Sequence, residues 1–501
     1  MPMFVRALHP LLLFVMFAIA LVWSTSAFAA SAATFTVNAT DDVVNGGGCD
    51  AAHCSLREAI NASNASVGVQ DTIRFKIKKA GNLNCNSATG VCQIMLASAL
   101  PTLGDSVIID GYSQPGASPN TLNLGNDAKI KIVLDCNLLN INGLTLNANT
   151  STIKGLSIVR CNGNGISVLG DTNALEGNFI GLAPDGSQQA NTTGIQVLSA
   201  STNRIGGIPV ARNIISGNNG AGISVINSPL TVIQGNYIGA SPQGTAALGN
   251  GGDGVFLSGS DLCTLGGQGV QARNVIAANG GEGIGLGNGS DNNLISGNFI
   301  GVGANGKISL GNQNGIFISG AFSQSGPKSN TIMKNRIGNN SGAGIWIQDV
   351  TNTYSTDNAF SSNSIFSNGA LGIDLRAPGA SGNDPGDGDT GENGMQNYPV
   401  LNSAKKTATG ATIKGALNSK ANGTYQLEFF AAAACDASGN GEGKKFLGKL
   451  NVTADASGNA SFTFKTTKKV KQGQAVTATA TEVVSSDLRS TSEFSQCRTL
   501  Q

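Results

Sequence analysis

The chain has 501 residues, with 31 Lys and Arg against 30 Asp and Glu, and only 12% of its residues are charged. A neutral chain without a basic run offers no electrostatic footprint for nucleic acid. Its 69 glycines suit a fold held together by backbone ladders and tight turns.

Residues 1–29 read as an export signal: Arg6 and His9 precede the apolar run Leu11 to Trp23, and Ala27-Phe28-Ala29 supplies a small-residue cleavage pattern. No second long apolar run follows, so the processed chain is expected to be secreted or held at the cell surface, with no transmembrane segment. Nine cysteines in an exported chain argue for disulfides. The expected pairs are Cys49 with Cys54, Cys85 with Cys92, Cys136 with Cys161 and Cys435 with Cys497. Cys136 and Cys161 are 25 residues apart, close to the length of one coil below. Cys263 is left over. It stands where the preceding two-coil repeat has Asn203, which suits a buried free thiol.

Residues 30–100 have their own Cys pairs and the run Cys54-Ser55-Leu56-Arg57-Glu58-Ala59-Ile60. Leu56, Ala59 and Ile60 share a helical face, and a short helix there would close an open sheet edge. This segment is expected to be an N-terminal cap.

Residues 101–380 form the repeat. GISV, GIQV, GISV, GVFL, GIGL, GIFI, GIWI and GIDL place their first aliphatic at Ile166, Ile195, Ile223, Val255, Ile284, Ile316, Ile345 and Ile373, with gaps of 29, 28, 32, 29, 32, 29 and 28. A period of this size, carried by apolar alternation and Gly/Asn corners, predicts an all-β fold built as a parallel β-helix. The corner run GNFIG at Asn178 and Asn298, with variants at Asn236 and Asn335, is expected to form stacked amide ladders rather than a site.

CSLREAI at Cys54 to Ile60, IIDGYSQPGASPNT at Ile108 to Thr121 and the GNxIG coils together resemble the CSLREA-domain family of secreted bacterial right-handed β-helix proteins, with a pectin-lyase-like fold. The resemblance covers nearly all of the processed chain and implies architecture and export. It brings no catalytic residue with it.

Read outward from the GI strand, successive coils give Ser167, Gln196, Ser224, Phe256, Gly285, Phe317, Trp346 and Asp374. Phe256, Phe317 and Trp346 form a ridge that either stacks sugar rings or lies under a long loop or the C-terminal domain. Two residues before the strand, neighbouring coils place Asp253 and Glu282, a carboxylate pair at a spacing open to a retaining glycosidase. Asp41-Asp42 lies in the cap and the only histidines are His9 and His53, which argues against a polygalacturonase-like enzyme. Arg212 and Arg273, each before an Asn, read as surface corner residues. Three coils insert an extra 12 to 14 residues after Asn178, Asn236 and Asn298, and these loops are expected to wall a groove beside the outward row.

Residues 381–398 form a Gly/Asp-rich linker in which Asp384, Asp387, Asp389 and Glu392 are spaced as oxygen ligands for calcium, although the EF-hand pattern is absent. Residues 399–501 show short alternating strands, expected to make a small Ig-like β-sandwich closed by Cys435 and Cys497. These residues favour an exported rod that binds or adheres to a polysaccharide or cell-surface glycan. A polysaccharide lyase or glycosidase on the same face and a purely structural surface protein are the alternatives.

Overall fold

The computed structural model describes residues 31–320, 325–350, 353–376 and 378–501; the export-signal reading at 1–29 lies outside them. From Val107 on, nine coils each contribute one strand to each of three long parallel sheets, and the strands before them bring the sheets to eleven, ten and nine strands. The coil from Thr152 to Val168, for example, runs Thr152–Lys154, Leu156–Val159 and Asn164–Val168 through the first, second and third sheets.

Alternation along each strand sends every second side chain inward. The third sheet pairs Ile166, Ile195, Ile223, Val255, Ile284, Ile316, Ile345 and Ile373 rung by rung in one column, and none is more than 3% exposed. Matching columns from all three sheets make one continuous core. Burying such a side chain contributes roughly 1.5–3 kcal/mol, so the column fixes the register of the whole stack.

Two corners carry unbroken amide ladders. In one, the backbone N–H of each Asn donates to the Oδ1 of the next through Asn178, Asn213, Asn236, Asn274, Asn298, Asn335 and Asn363. The other runs through Asn191, Asn218, Asn250, Asn279, Asn312, Asn340 and Asn368. A third corner is interrupted at Cys263, which is buried and free, its N–H donating to Asn293 Oδ1 at 2.7 Å. Burial pushes its thiol up to about 11, so it stays a protonated, unreactive core group. The other eight cysteines form the four expected disulfides.

The stack begins earlier than residue 101. Thr34–Val37 is the first rung of the first sheet, paired with Asp71–Phe75, and Cys92–Met95 opens the second. The helix Leu56–Ala65 is started by a capping box between Ser55 and Glu58 and buries Leu56, Ala59 and Ile60. Asp41 and Asp42 are engaged here, with His53 and Arg57 respectively.

The three inserted loops do not wall the third sheet. They turn back over the second, where Leu182, Ala240 and Ala304 pack with the outward residues Phe179, Ile214, Tyr237 and Val275 in a separate apolar cluster. The reason is the sequence of the second sheet itself, whose outward positions are apolar and need cover. Arg212 belongs to this cover and is 1% exposed, not a surface residue. Arg273 and Arg336 lie over Phe299 and Phe366 on the same side.

The C-terminal strands form a three-stranded and a five-stranded antiparallel sheet around their own core, consistent with a sandwich. This domain closes the last coil. Phe430 and Phe494 enter the main core, and three of its glutamates accept the edge amides of the final rungs. Glu428 takes Ser362 N–H, Glu442 takes Asn368 N–H and Glu493 takes Leu375 N–H, at 2.7, 2.9 and 3.0 Å. An edge that would otherwise template another chain is thereby satisfied on all three sides.

Candidate functional site

The outward row of the third sheet is in register as Ser167, Gln196, Ser224, Phe256, Gly285, Phe317, Trp346 and Asp374. Phe256, Phe317 and Trp346 are each half-buried. Gly285, between Phe256 and Phe317 in the row, leaves no empty rung. A Cβ on Gly285 would lie 3.2 Å from the Phe256 ring, and one on Gly287 would lie 3.6 Å from it. The glycines of Ile284–Gly287 therefore give the ring a flat bed, so Phe256 reclines over the neighbouring rung. Phe317 and Trp346 form a second platform with centroids 5.0 Å apart and planes tilted by 49°, and the Trp346 indole donates to Arg376 O at 3.0 Å.

Along the upstream edge of these rings run Asp253, Glu282 and Asn314. Each stabilises the coil that follows it. Asp253 Oδ1 accepts Glu282 N–H at 2.9 Å, Glu282 Oε2 accepts Asn314 N–H at 3.0 Å, and Asn314 Oδ1 accepts Ala343 N–H at 2.7 Å. Asp253 Oδ2 reaches over the neighbouring coil, 2.9 Å from where a Cβ of Gly285 would stand. Burial raises the pKa of both carboxyls above the usual range, and the charge of Asp253 adds to the effect on Glu282. The spacing thus does place two carboxyls on adjacent rungs, with one oxygen of each held by a backbone amide.

Asp374, at the end of the row, is a functional candidate that the sequence reading passed over. It is 3% exposed, with Oδ1 buried and unpartnered. Burial pushes it up to about 6 and the neighbouring Glu493 up to about 7. Glu493 comes from the C-terminal domain 119 positions on, so no local pattern could have announced the pair.

Of the acidic linker, Asp384, Asp387 and Asp389 bring carboxylate oxygens within 4.8 Å of one another. Glu392 is not with them. A 3-10 turn at Glu392–Met395 carries it toward the coil end, where Oε1 accepts Asp349 N–H at 3.2 Å. Asp387 is also committed, accepting Asn397 N–H and Ser419 Oγ–H at 2.8 Å each. Among the described residues no helix is long and apolar enough to cross a membrane.

Residues 246–383 match the family model of the right-handed β-helix region. No curated protein matches the chain. Among solved structures, the A-module of the Azotobacter vinelandii mannuronan C-5 epimerase AlgE6 is similar at 14% identity and a TM-score of 0.36, covering 64% of this chain and 94% of that one. Geobacillus virus E2 ORF18 is similar at 13% identity and a TM-score of 0.41, covering 91% and 78%. An alginate lyase from Paenibacillus sp. str. FPU-7 follows at 13% identity and 0.36, covering 68% and 97%. At these identities nothing about substrate or chemistry passes from them to this chain.

Proposed function

We propose that the chain is an extracellular or periplasmic rod that binds carbohydrate along the outer face of its third sheet. The observation that carries this reading is the pair of half-exposed aromatic platforms, Phe256 on its glycine bed and Phe317 with Trp346, in one straight register. Ring faces presented side by side, with polar acceptors at their edge, suit stacked sugars whose hydroxyls need partners. Four disulfides fit an oxidising compartment, and adhesion at a cell surface is the role such a rod would serve there.

Replacing Trp346 by Ala is expected to weaken glycan binding about tenfold or more while leaving the melting profile of the coils nearly unchanged, since base- and sugar-stacking aromatics act locally. Calorimetric titration over a glycan panel reads this, and full binding by the variant would remove the reading.

A second reading, a glycosidase using Asp253 and Glu282, is favoured by one observation: both carboxyls are raised by burial on adjacent rungs of the same face. Asp253→Asn and Glu282→Gln retain the acceptor for the next coil's amide, so under this reading they abolish turnover by about 100-fold or more and spare binding. Product release that survives both changes rules the enzyme out.

Calcium is proposed at Asp384, Asp387 and Asp389, where it would stabilise the junction of rod and sandwich. Calorimetry with and without a chelator is expected to show a lower melting temperature in chelator. An unchanged profile with no bound metal counts against the ion.

A further inference from the structure

Resting on the carbohydrate reading above, we infer that this face selects an uncharged glycan chain and rejects polyuronates. The inference comes from what surrounds the rings. The edge beside the aromatic row carries Asp253 and Glu282, and among the described residues the row itself, from Ser167 to the buried Asp374, has no Lys or Arg; Arg376, which meets Trp346 through its backbone carbonyl, has its charge near Asp389 of the acidic linker. A sugar carboxylate needs a cation or a cluster of free donors to replace its water. Here it would meet acceptors instead. The amide donors nearest the rings are already used, since the N–H groups of Glu282, Asn314 and Ala343 are held by the side chain of the preceding coil.

A neutral sugar meets the opposite situation. Its hydroxyls donate, and Asp253 and Glu282, each three residues before the outward position of its own coil, have a second carboxyl oxygen beyond the one that holds the next coil's amide. Its ring faces stack without any charge to satisfy. Phe256 and Trp346 are three rungs apart, roughly 14 Å along the axis, so the ligand is a length of chain laid parallel to the rod rather than a single sugar.

The test titrates the full chain with neutral oligosaccharides of the glucan, xylan and galactan types and with galacturonate and mannuronate oligomers of matched length, at about 20 mM and about 300 mM salt. Neutral chains are expected to bind with a Kd that moves by less than about twofold between the two salts. Uronate oligomers are expected to bind about tenfold more weakly or worse at low salt, with the gap narrowing at high salt and in Asp253→Asn or Glu282→Gln. Uronates that bind as tightly as neutral chains, and lose that binding in Trp346→Ala, overturn the selectivity while leaving the carbohydrate reading intact. Neutral binding that Trp346→Ala does not weaken, or no binding by any oligomer, overturns both.

Discussion

Replacing Arg212 by Met is expected to destabilise the rod by about 3–4 kcal/mol, one of the largest effects of any single side chain outside the core columns. The guanidinium donates to four backbone carbonyls: Gly235 O at 2.9 Å, Leu122 O at 3.2 Å, Asn123 O at 2.9 Å, and Gly125 O. It also lies 4.5 Å from the centre of the Tyr237 ring, whose hydroxyl accepts Gly125 N–H at 2.9 Å. Burial lowers its pKa, and among the described residues its charge is met by these carbonyl dipoles and not by a carboxylate. Methionine fills the volume but leaves those carbonyls without donors in an enclosed site. The loop from Asn120 to Asp127 should then lift from the second sheet and become a protease site near Leu122 and Leu124, which are already exposed. Lysine, a single point of donors without the planar fork, should fall between wild type and Met. Denaturant unfolding together with limited proteolysis reads both effects. A Met variant as stable and as protease-resistant as the wild type would show that the loop is held by something else.

Asn298→Ala is expected to cost about 2–4 kcal/mol, more than an isolated amide would, because it removes a rung shared by two neighbours. Asn298 Oδ1 accepts both the backbone and the side-chain N–H of Asn274, at 3.2 and 3.0 Å, and its own Nδ2 donates to Leu265 O at 2.9 Å and to Asn335 Oδ1 at 3.1 Å. All of these groups are buried. Coils contact only their neighbours, so hydrogen exchange should rise first around Asn274 and Asn335 before the ends of the rod respond. Uniform loss along the whole stack, or no loss at all, would contradict a nearest-neighbour ladder.

The register of the rod was legible because it repeats. The column from Ile166 to Ile373 and the outward row beside it are spaced in the sequence as they pair in space, and the asparagines of GNxIG stand at the corners they mark. What was not legible depends on contacts with no period. The covering of the second sheet joins Leu182 and Ala240, which each follow a corner Asn by four residues, with Tyr112 from before the first GI strand, and the repeat spacing does not tell which sheet the inserted loops turn over. Arg212 looked like a corner residue because the loop that buries it lies 87 residues or more upstream. Glu392 shares the acidic spacing of its neighbours, but the backbone turn at Asn393 and Gly394 takes positive φ and carries it away. The docking glutamates Glu428, Glu442 and Glu493 each stand alone in the sequence, and only the final coil gives them a common purpose.

A sugar chain bound on this face contacts the Phe317 and Trp346 platform directly. The chain has two tryptophans, and the other is Trp23 in the N-terminal apolar run. In Trp23→Phe the indole of Trp346 becomes the sole reporter of its kind, half-exposed on the face in question. Titrating that variant with a neutral oligosaccharide should shift its emission to shorter wavelength and saturate with the same Kd that calorimetry gives. Binding heat accompanied by an unchanged emission would place the ligand elsewhere on the molecule and contradict the account.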